Sequence, residues 1–252
     1  MLNYRRFGSG KTVVLQHGFV GGGEYFAPLS AHLARNHEVI ATDLPGFAGS
    51  AHIPVPDTIG GIAEALVDTV TGLGVERFAL LGHSLGSVTA LQAALDYPDR
   101  IEKLILYGST PSGTLPDRFE TWETTISRIE SESIEAISAW IAATWFVDGE
   151  KHPLYEFTKA AGAGASRDGA VRMIRASAPW DIRDRLAEIK MPTLVICGDS
   201  DRSTHPGLSY ELWRGIPGAQ LCILPGCAHN AHLEVSEIFN PLIARFLAGN
   251  ES

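Results

Sequence analysis

The run Arg77-Phe78-Ala79-Leu80-Leu81-Gly82-His83-Ser84-Leu85-Gly86-Ser87-Val88-Thr89-Ala90-Leu91-Gln92-Ala93-Ala94-Leu95 decides the fold. Arg77 to Leu81 is short and almost wholly apolar, the pattern of a strand buried on both faces. Ser87 to Leu95 reads as a helix. Between them, Gly82-His83-Ser84-Leu85-Gly86 is a G-x-S-x-G pattern with no room for a loop, so strand must pass to helix in one sharp turn. In that setting a serine is thrust into a cleft with a helix N-terminus beneath it. Side chains at Gly82 or Gly86 would collide with neighbouring backbone, and Ser84 itself must accept a strained conformation.

Outward from this turn the same alternation repeats. Short apolar runs occur at Thr12–Gln16, Glu38–Thr42, Lys103–Tyr107, Thr193–Cys197 and Gln220–Leu224. Helical patterns fall at Ala27–Arg35, Asp57–Leu73, Leu85–Asp96, Leu208–Gly215 and Val235–Ala248, with Asp57 as a start signal. A βαβα rhythm of this kind predicts an α/β fold with a mostly parallel, doubly wound sheet. The rhythm breaks between Thr110 and Ile189, where Glu, Ile, Ala and Trp recur at helical spacing and Ala160-Ala161-Gly162-Ala163-Gly164-Ala165 marks a bend. We expect a core of residues 1–110 and 186–252, with 111–185 inserted as a helical cap over the strand C-terminal edge, where ligands bind in open α/β sheets. Trp122, Trp140, Trp145, Phe146, Tyr155, Phe157 and Trp180 are its large residues, candidates for a pocket wall or for packing.

Composition narrows the function. A net charge of -9 argues against nucleic acid, whose binding needs clustered cations. Three cysteines, Cys197, Cys222 and Cys227, cannot all pair and show no C-x-x-C spacing, so neither a metal nor a cofactor is expected. No apolar run approaches the roughly 20 residues that span a bilayer. Arg5-Arg6 is not followed by a signal-length apolar stretch, so the expectation is a cytoplasmic protein, monomer or homodimer, acting on a small molecule.

Serine is scarcely ionised near neutral pH and needs a base, and the base needs an acid to orient it. Among nine histidines, His229 stands at the end of the last strand-to-helix loop, with His232 as its competitor. Gly198-Asp199-Ser200-Asp201 closes the strand Thr193–Cys197; Asp201 is placed to reach back, while Asp199 is placed to hold the turn. Ser84, Asp201 and His229 then run in chain order Ser, Asp, His. Backbone N–H groups of Leu85 and Phe19 are candidate oxyanion donors, Phe19 belonging to the glycine-rich Gln16–Gly23 run. That run lacks the Lys-Ser or Lys-Thr of a P-loop. His83, Trp145, Phe146, Trp180 and His232 are candidate substrate-binding residues.

Taken together, His17-Gly18-Phe19, Asp43-Leu44-Pro45-Gly46-Phe47-Ala48-Gly49-Ser50, Gly82–Gly86, Met191-Pro192-Thr193-Leu194 with Gly198–Asp201, and Gly226-Cys227-Ala228-His229 with Leu233-Glu234 resemble the α/β-hydrolase fold superfamily over nearly the whole chain. The resemblance implies Ser84 as nucleophile, Asp201 as acid, His229 as base, the Phe19 and Leu85 amides as oxyanion hole, and a cap over residues 110 to 185. It also implies one strand fewer than the usual eight, so Leu2–Arg6 is expected as a first, antiparallel strand of seven. The activity implied is hydrolysis of a carboxylic ester, lactone or thioester. Alternatives within the same fold are carbon-carbon bond hydrolysis with Arg172 and Arg175 as carboxylate clamps, cofactor-free perhydrolysis, and non-catalytic small-molecule reception.

Overall fold

A computed structural model describes residues 1–115 and 118–249. Elements are numbered in chain order: β1 (Tyr4–Gly8), β2 (Thr12–Gln16), α1 (Ala27–Leu33), β3 (Glu38–Thr42), α2 (Ile59–Gly72), β4 (Phe78–His83), α3 (Leu85–Asp96) and β5 (Ile101–Tyr107). An insertion follows, holding α4 (Trp122–Ser131), α5 (Ile134–Thr144), α6 (Tyr155–Gly162) and α7 (Arg167–Ser177). The chain then returns through β6 (Thr193–Gly198), α8 (Pro206–Gly215), β7 (Gln220–Leu224), the single turn α9 (Ala231–Glu234) and α10 (Ser236–Ala248).

The strands form one seven-stranded sheet in the order β1-β3-β2-β4-β5-β6-β7. Only β1 runs antiparallel, against β3. It starts two residues later than the expected Leu2–Arg6, because the Leu2 N–H is drawn to the Thr69 hydroxyl of α2 and Tyr4 is the first residue in register with Thr42. Helix α2 likewise starts late: its cap is Thr58, whose hydroxyl accepts from the Gly61 N–H, rather than Asp57.

Burial follows position in the sheet. Every residue of β4 and β6 is buried, whereas the edge strands β1 and β7 are mostly half-buried or exposed. One face packs Val14, Ile40, Leu80, Leu104 and Val195 under α2, α3 and α8. The other packs Val13, Leu15, Leu81, Ile105 and Ile196 with α1, α10 and residues of the insertion.

From β2 the chain goes to β3 on one side and eventually to β4 on the other, so the strand order reverses between β2 and β4. Gln16 at the end of β2 lies beside Gly82 at the end of β4. A crevice at that reversal is where such sheets place ligands. Here it lies between the glycine-rich run and Ser84. Three of the four insertion helices, α4, α5 and α7, are capped by their own sequence: Thr121, Ser133 and Ser166 accept from the N–H groups of Thr124, Ala136 and Gly169. Among the described residues no helix is long and apolar enough to cross a membrane.

Candidate active site

β4 ends at His83 and α3 begins at Leu85, so Ser84 alone makes the turn, with φ +54° and ψ −122°. Serine at a helix N-cap ordinarily spends its hydroxyl on a backbone N–H. Here the twisted backbone prevents that, and Ser84 caps nothing. Its Oγ is left for other chemistry. Close packing enforces the turn: a Cβ on Gly86 would overlap the carbonyl oxygens of Gln16 and His17, and one on Gly18 would lie 2.8 Å from the Ser84 Cβ.

The structure brings Asp201 and His229 together. His229 Nδ1 lies 2.7 Å from Asp201 Oδ2, and both side chains are buried. The carboxylate is held from every side. Its Oδ1 accepts the N–H groups of Ser203 at 2.8 Å and Thr204 at 2.9 Å, and its Oδ2 also accepts the Thr204 hydroxyl at 3.0 Å. An acceptor-only carboxylate facing Nδ1 fixes the proton there and leaves Nε2 as a free base. That Nε2 is buried and has no hydrogen-bond partner among the described residues. Asp199 does hold the turn, accepting the Gly226 N–H and the Ser200 hydroxyl. Thr204 was not legible as a site residue, although a hydroxyl three residues after an aspartate is a recognisable local turn signal.

In the loop after β2, His17 fixes the orientation of the peptide that carries the Phe19 N–H, the candidate oxyanion donor. Its Nε2 accepts the Leu44 N–H at 2.9 Å, so its proton sits on Nδ1 and is donated to the Gly18 carbonyl at 2.7 Å. Burial lowers its pKa and keeps it neutral, as accepting at Nε2 requires. Because the Gly18–Phe19 peptide is planar and trans, fixing that carbonyl fixes the Phe19 N–H in the opposite direction. Leu85 opens α3, and its N–H is one for which the helix supplies no carbonyl.

Behind His229 lies a buried polar box that the sequence did not reveal. The His229 carbonyl accepts from the Tyr107 hydroxyl at 2.6 Å and from His83 Nε2 at 3.0 Å. The Tyr107 oxygen in turn accepts the His232 N–H at 3.2 Å, and Tyr25 donates to the Asn230 side-chain carbonyl. The His83 ring lies against Tyr107 and Tyr25, with centroids 4.4 and 5.5 Å apart, and 4.4 Å from the His229 ring. Desolvation drives His83 well below the usual histidine range and His232 to about 3, so both stay neutral. It raises Tyr25 and Tyr107 well above theirs, which keeps their protons as donors.

His232 therefore contacts Tyr107 rather than a carboxylate, and it is His229 that the Asp201 carboxylate meets. His83 is a support for the base loop, with only its Nδ1 edge near Gly18. Trp145 reaches the site, its ring 5.7 Å from His229 and its carbonyl accepting the Asn230 N–H. Phe146 instead stacks on His152, and Trp180 donates to Gln92 on α3. Trp122 meets Phe19 edge-on at 6.4 Å. Arg172 and Arg175 lie on the exposed face of α7, where Arg172 pairs with Asp57 and Asp168; they are not clamps. The hydrophobic stripe of that helix faces inward, leaving its arginines to water. Among the described residues no group of His, Cys, Asp and Glu could hold a metal.

The model of the α/β hydrolase fold matches residues 11–131. A candidate carbamate hydrolase, RutD, of Rhizobium rhizogenes is 29% identical, covering 94% of this chain and 92% of its own length. A 2-hydroxy-6-oxo-6-phenylhexa-2,4-dienoate hydrolase of Burkholderia cepacia is also 29% identical, over 96% of this chain and 89% of its own. Among solved structures, a thermophilic esterase from Thermogutta terrifontis superposes with a TM-score of 0.88 at 27% identity, covering 98% of this chain and 93% of that one. With a seven-stranded sheet and a serine at the strand-to-helix turn, the chain has the α/β hydrolase fold and is similar in sequence to these hydrolases.

Proposed function

We propose that the chain is a serine hydrolase that cleaves a small carboxylic ester, lactone or thioester through an acyl-enzyme. The observation that carries this reading is the buried His229, bonded to Asp201 at Nδ1 and unpartnered at Nε2, together with a serine at the strand-to-helix turn that caps nothing. Ser84 Oγ attacks the carbonyl carbon while His229 Nε2 takes its proton; the C=O electron pair moves to oxygen, which the Phe19 and Leu85 N–H groups receive. Collapse expels the alcohol, thiol or lactone oxygen, protonated by His229. Water, deprotonated by the same nitrogen, then releases the acid and restores Ser84. The insertion 111–185 serves as a cap, with Trp122 and Trp145 against the two ends of the reacting carbonyl's surroundings.

Hydrolysis of a carbon-carbon bond is the second reading, favoured by the likeness to the dienoate hydrolase. The exposed positions of Arg172 and Arg175 count against it, since they offer no carboxylate clamp. Fluorophosphonate labelling that disappears in Ser84→Ala, together with turnover of short p-nitrophenyl esters, is the expected result. Absence of both would refute the proposal. Loss of a dienoate chromophore without ester turnover would favour the second reading.

A further inference from the structure

Among the described residues, three other than glycine hold left-handed backbone: Val20 (φ +43°), Ala48 (φ +45°) and Ser84 (φ +54°). Ser84 is accounted for by its turn. A β-branched residue such as Val20 adopts this conformation only where its surroundings over-determine it. Its surroundings include the bend that ends α6. A Cβ on Gly162 would overlap both the Val20 carbonyl oxygen and the Ser138 hydroxyl, so the α6 backbone lies directly on the backbone of the loop after β2. Neighbouring contacts fix the bend in place. Ser138 Oγ donates to the Lys159 carbonyl at 2.9 Å, and the Ser166 N–H donates to the Gly46 carbonyl at 2.8 Å.

Val20 follows Phe19. His17 fixes the peptide before Phe19, through the Gly18 carbonyl, and Gly162 confines the peptide after Val20. The candidate oxyanion donor is thus held from both flanks, one by the core and one by the insertion. We infer that Gly162 is a positioning residue: by admitting the Val20 carbonyl against α6, it holds the loop in the strained form that aims the Phe19 N–H. The inference rests on the acyl-transfer reading above. It makes the seating of the insertion a condition of turnover and gives the glycine of the Ala160–Ala165 bend a catalytic consequence beyond bending.

The test is Gly162→Ala in a Ser138→Ala background, which removes the hydroxyl that the new methyl would strike and leaves the Val20 carbonyl oxygen as its main obstacle, nearer than the residue-138 Cβ at 3.1 Å. Relative to Ser138→Ala alone, kcat for p-nitrophenyl acetate is expected to fall about 10- to 100-fold, the range for a misplaced or lost oxyanion donor. KM should stay within about threefold, while affinity for an alkyl boronic acid falls with kcat, because only the tetrahedral adduct uses the donor. Gly164→Ala, whose methyl would face the Ala48 Cα at 3.1 Å, is the control and should keep turnover within about twofold. Unchanged kcat, a loss expressed in KM, or an equal loss in Gly164→Ala would overturn the inference while the serine-hydrolase reading stands. A wild-type protein that neither labels with fluorophosphonate nor turns over the ester would overturn both.

Discussion

Replacing Asp201 with asparagine changes one oxygen to an amide nitrogen, and the structure dictates which one. Oδ1 accepts two backbone N–H groups, from Ser203 and Thr204, so only a carbonyl oxygen can occupy that side. The amide NH₂ must then take the place of Oδ2, facing His229 Nδ1 at 2.7 Å. Two donors cannot share that contact, so the imidazole must release its Nδ1 proton and carry it on Nε2. Nε2 then has nothing with which to take the Ser84 proton. The Thr204 hydroxyl can rotate from donor to acceptor, so the fold is expected to tolerate the change. A wrong tautomer in a Ser-His-Asp site lowers kcat by about 10⁴, which is about 5.5 kcal/mol of transition-state stabilisation. Steady-state hydrolysis of p-nitrophenyl acetate by Asp201→Asn, with thermal melting to verify folding, measures it. Retention of more than about a tenth of wild-type kcat would refute the tautomer argument.

Tyr107→Phe removes a donor to the His229 carbonyl and leaves the His232 N–H without its acceptor. Stability should drop by about 1–3 kcal/mol in denaturant titration, with kcat falling more than KM rises; an unperturbed midpoint would count against the bond. Acid should destabilise the fold through His83 and His232. Their folded-state pKa values lie below the unfolded value, so their stabilising contribution is complete above about pH 6.5 and is lost as pH falls, for His232 down to about 3, at up to about 1.4 kcal/mol per pH unit for each. Urea midpoints from pH 7 to 4 should decline, and His232→Asn should flatten the decline; identical slopes would contradict it.

The parallel sheet, the serine turn and the aspartate that meets His229 were readable because each is encoded over a few adjacent residues. Phe78–Leu81 is apolar throughout because β4 has neighbours on both sides, and Gly82–Gly86 is glycine-flanked because backbone fills the space around it. Asp199 and Asp201 could be told apart by their distance from the strand end. Contacts that join distant segments were not readable. Tyr107 reads as the last residue of a core strand, and nothing local signals that its hydroxyl binds a carbonyl 122 positions away. Trp122 and Trp180 look equivalent as large residues of an insertion, yet one meets Phe19 and the other Gln92, a difference set by how α4 and α7 pack. Asp57 and Thr58 are both good caps; pairing with Arg172, across the insertion, takes Asp57 away.

The turn at Ser84 also bears on how this sequence is maintained. Holding a serine at φ +54° costs on the order of 1–3 kcal/mol, which glycine at the same position would recover. A lineage drifting without need of the hydroxyl would lose little by that exchange and gain thermal stability. Serine at this half-buried turn is therefore a residue whose cost to the fold only the use of its hydroxyl would offset.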